Sequence, residues 1–147
     1  MTLRVFIPGN PGDGAINGAY LSTRRMSKKK GKMVPVRVKT DRGQSFSARA
    51  KAAILHAMAE DPVAAAAAGD AGTLAVTMVV SWPRQRHLSG AHDLAMGDVD
   101  APVKATLDAL EKSGLVDDDA RVVSLSVRKM INRLSPGIEL TIEPAPR

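Results

Sequence analysis

Residues 98–128 read DVDAPVKATLDALEKSGLVDDDARVVSLSVR, and the change of period inside this stretch decides the fold class. Val103, Leu107 and Leu110 recur at one-turn spacing, which is the apolar stripe of a helix. Asp100 or Ala101 opens that helix. Pro102 falls in its first turn, where a missing N–H loses nothing, and Gly114 stands where a glycine closes a helix. Beyond the aspartates the period drops from about 3.6 to 2. Val123, Leu125 and Val127 alternate with Ser124, Ser126 and Arg128, which predicts a strand.

Working outward, Leu74–Trp82 is the strongest apolar run. Val76, Thr77, Val79 and Val80 are β-branched, so it reads as a central strand ending at Trp82-Pro83. Arg84–Gly97 reads as a polar loop. Ile138, Leu140 and Ile142 alternate with Glu139, Thr141 and Glu143. With Ser135-Pro136-Gly137 in the connection, this stretch is the expected hairpin partner of the strand at 123–127. Towards the amino terminus, Leu3, Val5 and Ile7 make a first strand, followed by the Gly- and Pro-rich loop Pro8–Gly18. No Gly-Lys-Ser/Thr ends that loop, so it is not a P-loop. Met33–Lys39 reads as a short strand. Ser45 or Ser47 is placed to cap a helix running to about Glu60, with Ala50, Ile54, Ala57 and Met58 on one face. Asp61-Pro62 breaks it, and Ala64–Ala68 is either a helical turn or a pliable linker. The order is strand, helix, strand, helix, hairpin. It predicts an α+β fold, a mixed sheet of about four to five strands with helices packed on it. The expected organisation is one domain over residues 1–147 with a basic arm at about 20–33.

The chain has 147 residues and no cysteine. That excludes a disulfide scaffold, a thiolate nucleophile and cysteine-based metal sites. No window approaches 18 apolar residues, so no membrane partner is expected. Met1–Ile7 is too short and polar for a signal peptide, and the default expectation is a cytoplasmic protein. Lys+Arg 21 against Asp+Glu 15 leaves a net charge of +6, which favours a polyanionic partner. The basic residues gather early: Arg24, Arg25, Lys28, Lys29, Lys30 and Lys32 form a run, with Arg37, Lys39, Arg42, Arg49 and Lys51 beyond it. The acids gather late, from Asp93 to Asp119. A chain that grips phosphates with one segment and masses carboxylates in another needs something to neutralise the second, and divalent cations do so.

Asp98 and Asp100 are two apart, so in extended chain both side chains point the same way. Lys104 and Asp108 follow Asp100 at one-turn spacing on one helix face. If the strand after Asp117-Asp118-Asp119 lies beside the one ending at Pro83, Asp118 or Asp119 comes near the same point. Converging carboxylates repel unless protonated or bound to a hard cation, and Mg²⁺ prefers their oxygens. Such a centre suits phosphodiester cleavage, with a nearby lysine offsetting phosphate charge. Spacing alone favours two plainer readings: aspartates before a helix are common caps, and aspartate runs are common solvated turns.

The stretch Asp98–Lys129 also resembles the RusA family of Holliday junction resolvases. That family's pattern is an Asp-x-Asp-Asn opening a helix, a lysine four residues on, an Asp-Ala-Leu segment, a glycine, an Asp-Asp-Ala-Gln turn and a strand ending in lysine. Here it reads Asp98-Val99-Asp100, Lys104, Asp108-Ala109-Leu110, Gly114, Asp118-Asp119-Ala120-Arg121 and Lys129. The Leu3–Pro8 strand with its loop and the closing 138–142 strand fit the same layout. The resemblance implies a homodimeric, magnesium-dependent endonuclease, with Mn²⁺ as a substitute, that resolves four-way DNA junctions by paired nicks in recombination and repair. Carried over by position, Asp98, Asp100 and Asp119 are the metal-binding acids, Asp118 a helper and Lys104 the active-site lysine. Arg24, Arg25, Lys28, Lys29, Lys30 and Lys32 are the candidate DNA-binding residues, read from charge. Two positions depart from the pattern: Ala101 replaces the asparagine, and Arg121 the glutamine.

The other candidates are weaker. His87, His92 and Asp93 fit no helix pair. No serine has His and Asp partners in an ordered motif. Aromatic residues are only 3%, too few for a base-stacking platform. No small-molecule substrate is implied. The competing reading is a non-catalytic DNA-binding module whose acids are structural, and Ala101 is the feature that favours it.

Overall fold

The computed structural model describes residues 1–14, 20–27, 29, 31–83, 85–87, 93–95 and 98–146. Its strands are β1 (Leu3–Pro8), β2 (Tyr20–Ser27), β3 (Lys32–Lys39), β4 (Leu74–Trp82), β5 (Gln85–His87), β6 (Asp93–Ala95), β7 (Val122–Ile131) and β8 (Gly137–Pro144). Its helices are α1 (Asp41–Glu60), α2 (Pro62–Asp70) and α3 (Val103–Lys112), with 3-10 turns at Pro11–Gly14 and Asp119–Arg121. The α+β expectation holds: β1, β8, β4 and β7 form a mixed four-stranded sheet in that order, joined by helices and two separate two-stranded ribbons.

Alternation drives the layering. Leu3, Val5 and Ile7 pair with Ile142, Leu140 and Ile138, and these pair onward with Val76, Met78 and Val80. All nine are buried. Phe46, Ala50 and Ile54 of α1, the small Ala64, Ala65 and Ala68 of α2, and Ala105, Ala109 and Leu110 of α3 complete the same cluster. On the opposite parity of the sheet, Arg4, Thr77, Ser126 and Glu139 are exposed.

The sheet order corrects the expected hairpin. β8 does not pair with β7; β4 lies between them, antiparallel to β8 and parallel to β7. The most apolar strand takes one of the two positions with a neighbour on each side, β8 taking the other. Parallel pairing also places Val122 beside Leu74, so β7 begins at the end of β4 remote from Trp82.

Helix α1 begins earlier than Ser45 or Ser47. Thr40 is its N-cap, its hydroxyl accepting from Gly43 N at 3.1 Å. Ser45 is instead inside the helix, accepting from Arg49 Nη1 at 3.1 Å. The alanine stretch is the helix α2. Asp61 caps it, its carboxylate accepting from Ala64 N at 2.9 Å, with Pro62 in the first turn. Of the expected loop 84–97, the described parts are β5 and β6, which pair.

The basic arm lies on a hairpin, β2 against β3, inserted between the first 3-10 turn and α1. Its two roots are tied together. Asp13 accepts from Arg42 Nε at 3.1 Å and from Arg49 Nη2 at 3.3 Å, while Arg49 Nε donates to Pro8 O at 3.0 Å. Gly9 holds φ +103° beneath that guanidinium, which lies 3.0 Å from where a Cβ would stand.

Candidate active site

The turn at residues 98–102 leads into α3 and carries Asp98 and Asp100, both exposed. Its backbone is self-satisfied, with Ala101 N donating to Asp98 O at 3.2 Å and Val103 N to Asp100 O at 3.0 Å. Pro102 is the N-cap of α3, with no side-chain cap. Asp100 therefore does not spend its carboxylate on the helix end, and Ala101 supplies nothing that an asparagine there would. Thr106 Oγ1, fully buried, donates back to Pro102 O at 2.9 Å and fixes the turn to the helix.

Lys104, in the first turn of α3, meets two carboxylates, one on its own helix and one on the turn before β7. Its Nζ lies 2.8 Å from Asp108 Oδ1 and 3.1 Å from Asp119 Oδ2. Asp108, and then Asp119, hold the ammonium above the ordinary lysine range. Lys104 is thus a fixed cation at any working pH and not a proton acceptor. Asp118 Oδ1 accepts from Ala120 N at 2.8 Å and caps the 3-10 turn that opens β7.

Arg121 is turned into the body of the protein. Its Nη2 donates to Gly69 O at 2.7 Å and also reaches the carbonyls of Ala68 and Ala71, while Nη1 meets Asp117 Oδ1 at 2.8 Å. A guanidinium at the carbonyl end of α2 suits the negative end of the helix. The departure from glutamine at this position has a structural role: it ties the turn before β7 to α2. Asp117, bonded to Arg121, has its carboxyl held below the usual range.

The structure thus brings together Lys104 and Asp108 of α3 and Asp119 of the 3-10 turn that precedes β7. Among the described residues, no group of three or more His, Asp or Glu side chains is gathered closely enough to hold a metal. The donor types still suit a hard cation, since every candidate is a carboxylate. Lys104 occupies one oxygen of Asp119, whereas the exposed carboxylates of Asp98 and Asp100 face solvent. The sequence places Asp108 in the motif without revealing its role, although its i,i+4 spacing to Lys104 is visible there. Only the four-residue spacing to Asp117 is local to Arg121, and its backbone partners on α2 are about fifty residues away.

Of the basic run, Arg24 and Arg25 lie on β2, opposite Pro35 and Val34. Lys29 and Lys32 are exposed near the hairpin tip, where Gly31 has φ +60°. Lys28 and Lys30 lie outside the described residues, as does His92; His87 and Asp93 are register partners across β5 and β6. No helix among the described residues is long and apolar enough to cross a membrane.

Individually curated proteins yield no match to this chain. The family described as Endodeoxyribonuclease RusA matches it over residues 19–143, which takes in the hairpin, all three helices and the sheet apart from β1 and the last residue of β8. The chain belongs to the RusA family of endodeoxyribonucleases, the Holliday junction resolvases.

Proposed function

We propose that this chain is a magnesium-dependent, structure-selective endonuclease that resolves four-way DNA junctions by paired phosphodiester hydrolysis, serving recombination and repair in the cytoplasm. The observation that carries the reading is the Lys104–Asp119 ion pair at 3.1 Å, which joins the two halves of the acidic motif across different elements. Asp98, Asp100 and Asp119 are the side chains to hold the ion, with Mn²⁺ as a substitute for Mg²⁺ and Asp118 shaping the turn that presents Asp119. When bound, such an ion supplies a more acidic water and neutralises charge on the leaving oxygen. Lys104 contributes a permanent positive charge beside the scissile phosphate. The hairpin residues Arg24, Arg25, Lys28, Lys29, Lys30 and Lys32 grip backbone phosphates.

One site cannot reach both strands of a junction, so the acting species is a homodimer, whose two-fold axis places two sites at related positions. Strand β7 supports this reading: it is a sheet edge, and Val123, Leu125 and Met130 on it are exposed.

The test is cleavage of a synthetic four-way junction with Mg²⁺, with chelator and a linear duplex of the same sequence as controls. Symmetric paired nicks confined to the junction with Mg²⁺ are expected. Absence of cleavage, or equal cutting of the duplex, overturns the reading.

A further inference from the structure

We propose that Asp108 is a positioning residue for Lys104, holding its ammonium at the site when Asp119 is engaged elsewhere. This rests on the reading of Lys104 as an active-site residue.

Three observations carry it. First, the pair is built the wrong way round for helix stability. An acid four residues before a lysine favours a helix more than a lysine four residues before an acid, and a cation in the first turn opposes the helix dipole. Lys104 is the only charge in the first turn of α3, which contains no acid. The arrangement does little for the helix, so it calls for another explanation.

Second, the two partners differ in freedom. The Lys104 side chain is 56% exposed, whereas Asp108 is 20% exposed, on a helix whose Ala105, Thr106, Ala109 and Leu110 are buried. A lysine is a flexible stem with large rotamer entropy. The packed carboxylate is the fixed point, and the ammonium is the group being held.

Third, the other hold on Lys104 is shared. Asp119 comes from a separate element and is in the proposed cation-binding set, so its oxygens have a second claimant. Asp108 has no such role, and at 2.8 Å it is also the closer partner.

The experiment uses the full chain, Mg²⁺ and a four-way junction under single-turnover conditions. Asp108→Asn is expected to lower the saturated rate roughly ten- to hundred-fold, in line with the sensitivity of catalysis to small misplacements. The protein concentration giving half-saturation should stay unchanged. In a Lys104→Ala background, adding Asp108→Asn should change the rate less than about two-fold, because a residue acting only through Lys104 has nothing left to act on. A purely structural residue would cause the same loss in both backgrounds, and that result overturns the proposal. A full-rate Asp108→Asn beside a crippled Lys104→Ala overturns it alone, whereas a full-rate Lys104→Ala takes down the active-site reading with it. If Lys104→Ala cleaves too slowly to measure, the lysine ¹⁵Nζ resonance decides. It should remain in slow exchange in Asp119→Asn and be lost in Asp108→Asn; survival in Asp108→Asn overturns the proposal.

Discussion

Lys104 Nζ lies 3.1 Å from Asp119 Oδ2, which couples the first turn of α3 to the turn that opens β7. Residues fifteen positions apart in sequence thus meet because α3 lies in the crossover whose return opens β7 beside the parallel β4. The proposed chemistry adds a cation and a phosphate to this coupled pair, with Asp98 and Asp100 before α3 joining Asp119 as the proposed cation ligands.

Asp98→Asn removes one charge from an exposed turn whose backbone bonds do not involve the carboxylate. Cleavage should fall at least roughly a hundred-fold, by analogy with the loss of a major electrostatic group. Junction binding measured by gel shift should hold or improve, since repulsion of phosphate falls. A variant that cuts at the normal rate removes Asp98 from the centre.

Changing Lys28, Lys29 and Lys30 to alanine should weaken binding to junction and duplex alike. Every phosphate no longer neutralised should flatten the plot of log affinity against log salt by about 0.9. An unchanged slope assigns this basic run to solvent.

Sedimentation should give a dimer, and a charge placed on the exposed β7 edge, as in Leu125→Glu, should shift it towards monomer. Junction nicks mapped on distinguishable arms should change from paired to single in that variant. A stable monomer that makes paired cuts refutes the symmetric mechanism.

Gly137 pairs with Pro8, and a Cβ there would stand 2.5 Å from Ile7 O and 2.7 Å from the Phe6 ring. Gly137→Ala should destabilise by about 1–3 kcal/mol, the usual scale of overpacking, read as a lower denaturant midpoint. Gly72, with nothing within 4 Å of its added Cβ, is the control, and Gly72→Ala should be near neutral.

Because Arg121 holds the Asp117 carboxyl below its usual range, their pairing stabilises the fold above the unfolded carboxyl pKa. That contribution is lost as pH falls through the depressed folded value. The Tm gap between the protein and Asp117→Asn should hold steady down to about pH 4 and close below it. A gap that widens on acidification reverses the sign.

Period alone marks β1, β7, β8 and α3, because alternation and one-turn stripes are properties of single segments, and β4 is marked by its β-branched apolar run. The neighbour of each strand is not legible in the same way: sequential strands usually pair, and only burial on both flanks puts β4 between β7 and β8. Thr40 is hard to recognise as a cap because Asp41-Arg42-Gly43 reads as polar loop, although Gly43 N is the donor that Thr40 accepts from. At the candidate site, the acids and Lys104 stand out by order and spacing. Asp118 as a turn cap is a local contact that the aspartate run already suggests, whereas Arg121 as an anchor on α2 depends on distant carbonyls that no spacing encodes.

Since Leu3 pairs with Ile142, β1 has its only sheet neighbour among the described residues in β8, more than 120 residues further on. During synthesis β1 is made long before β8 and has no hydrogen-bonded sheet neighbour until β8 arrives. Leu3, Val5 and Ile7 meanwhile have only the helices to shelter them, and the sheet cannot be closed until β8 has been released. Such sequence-distant pairing slows folding, so refolding from denaturant should be slow for a chain of this size, with nascent protein depending on chaperones to mask the waiting strand.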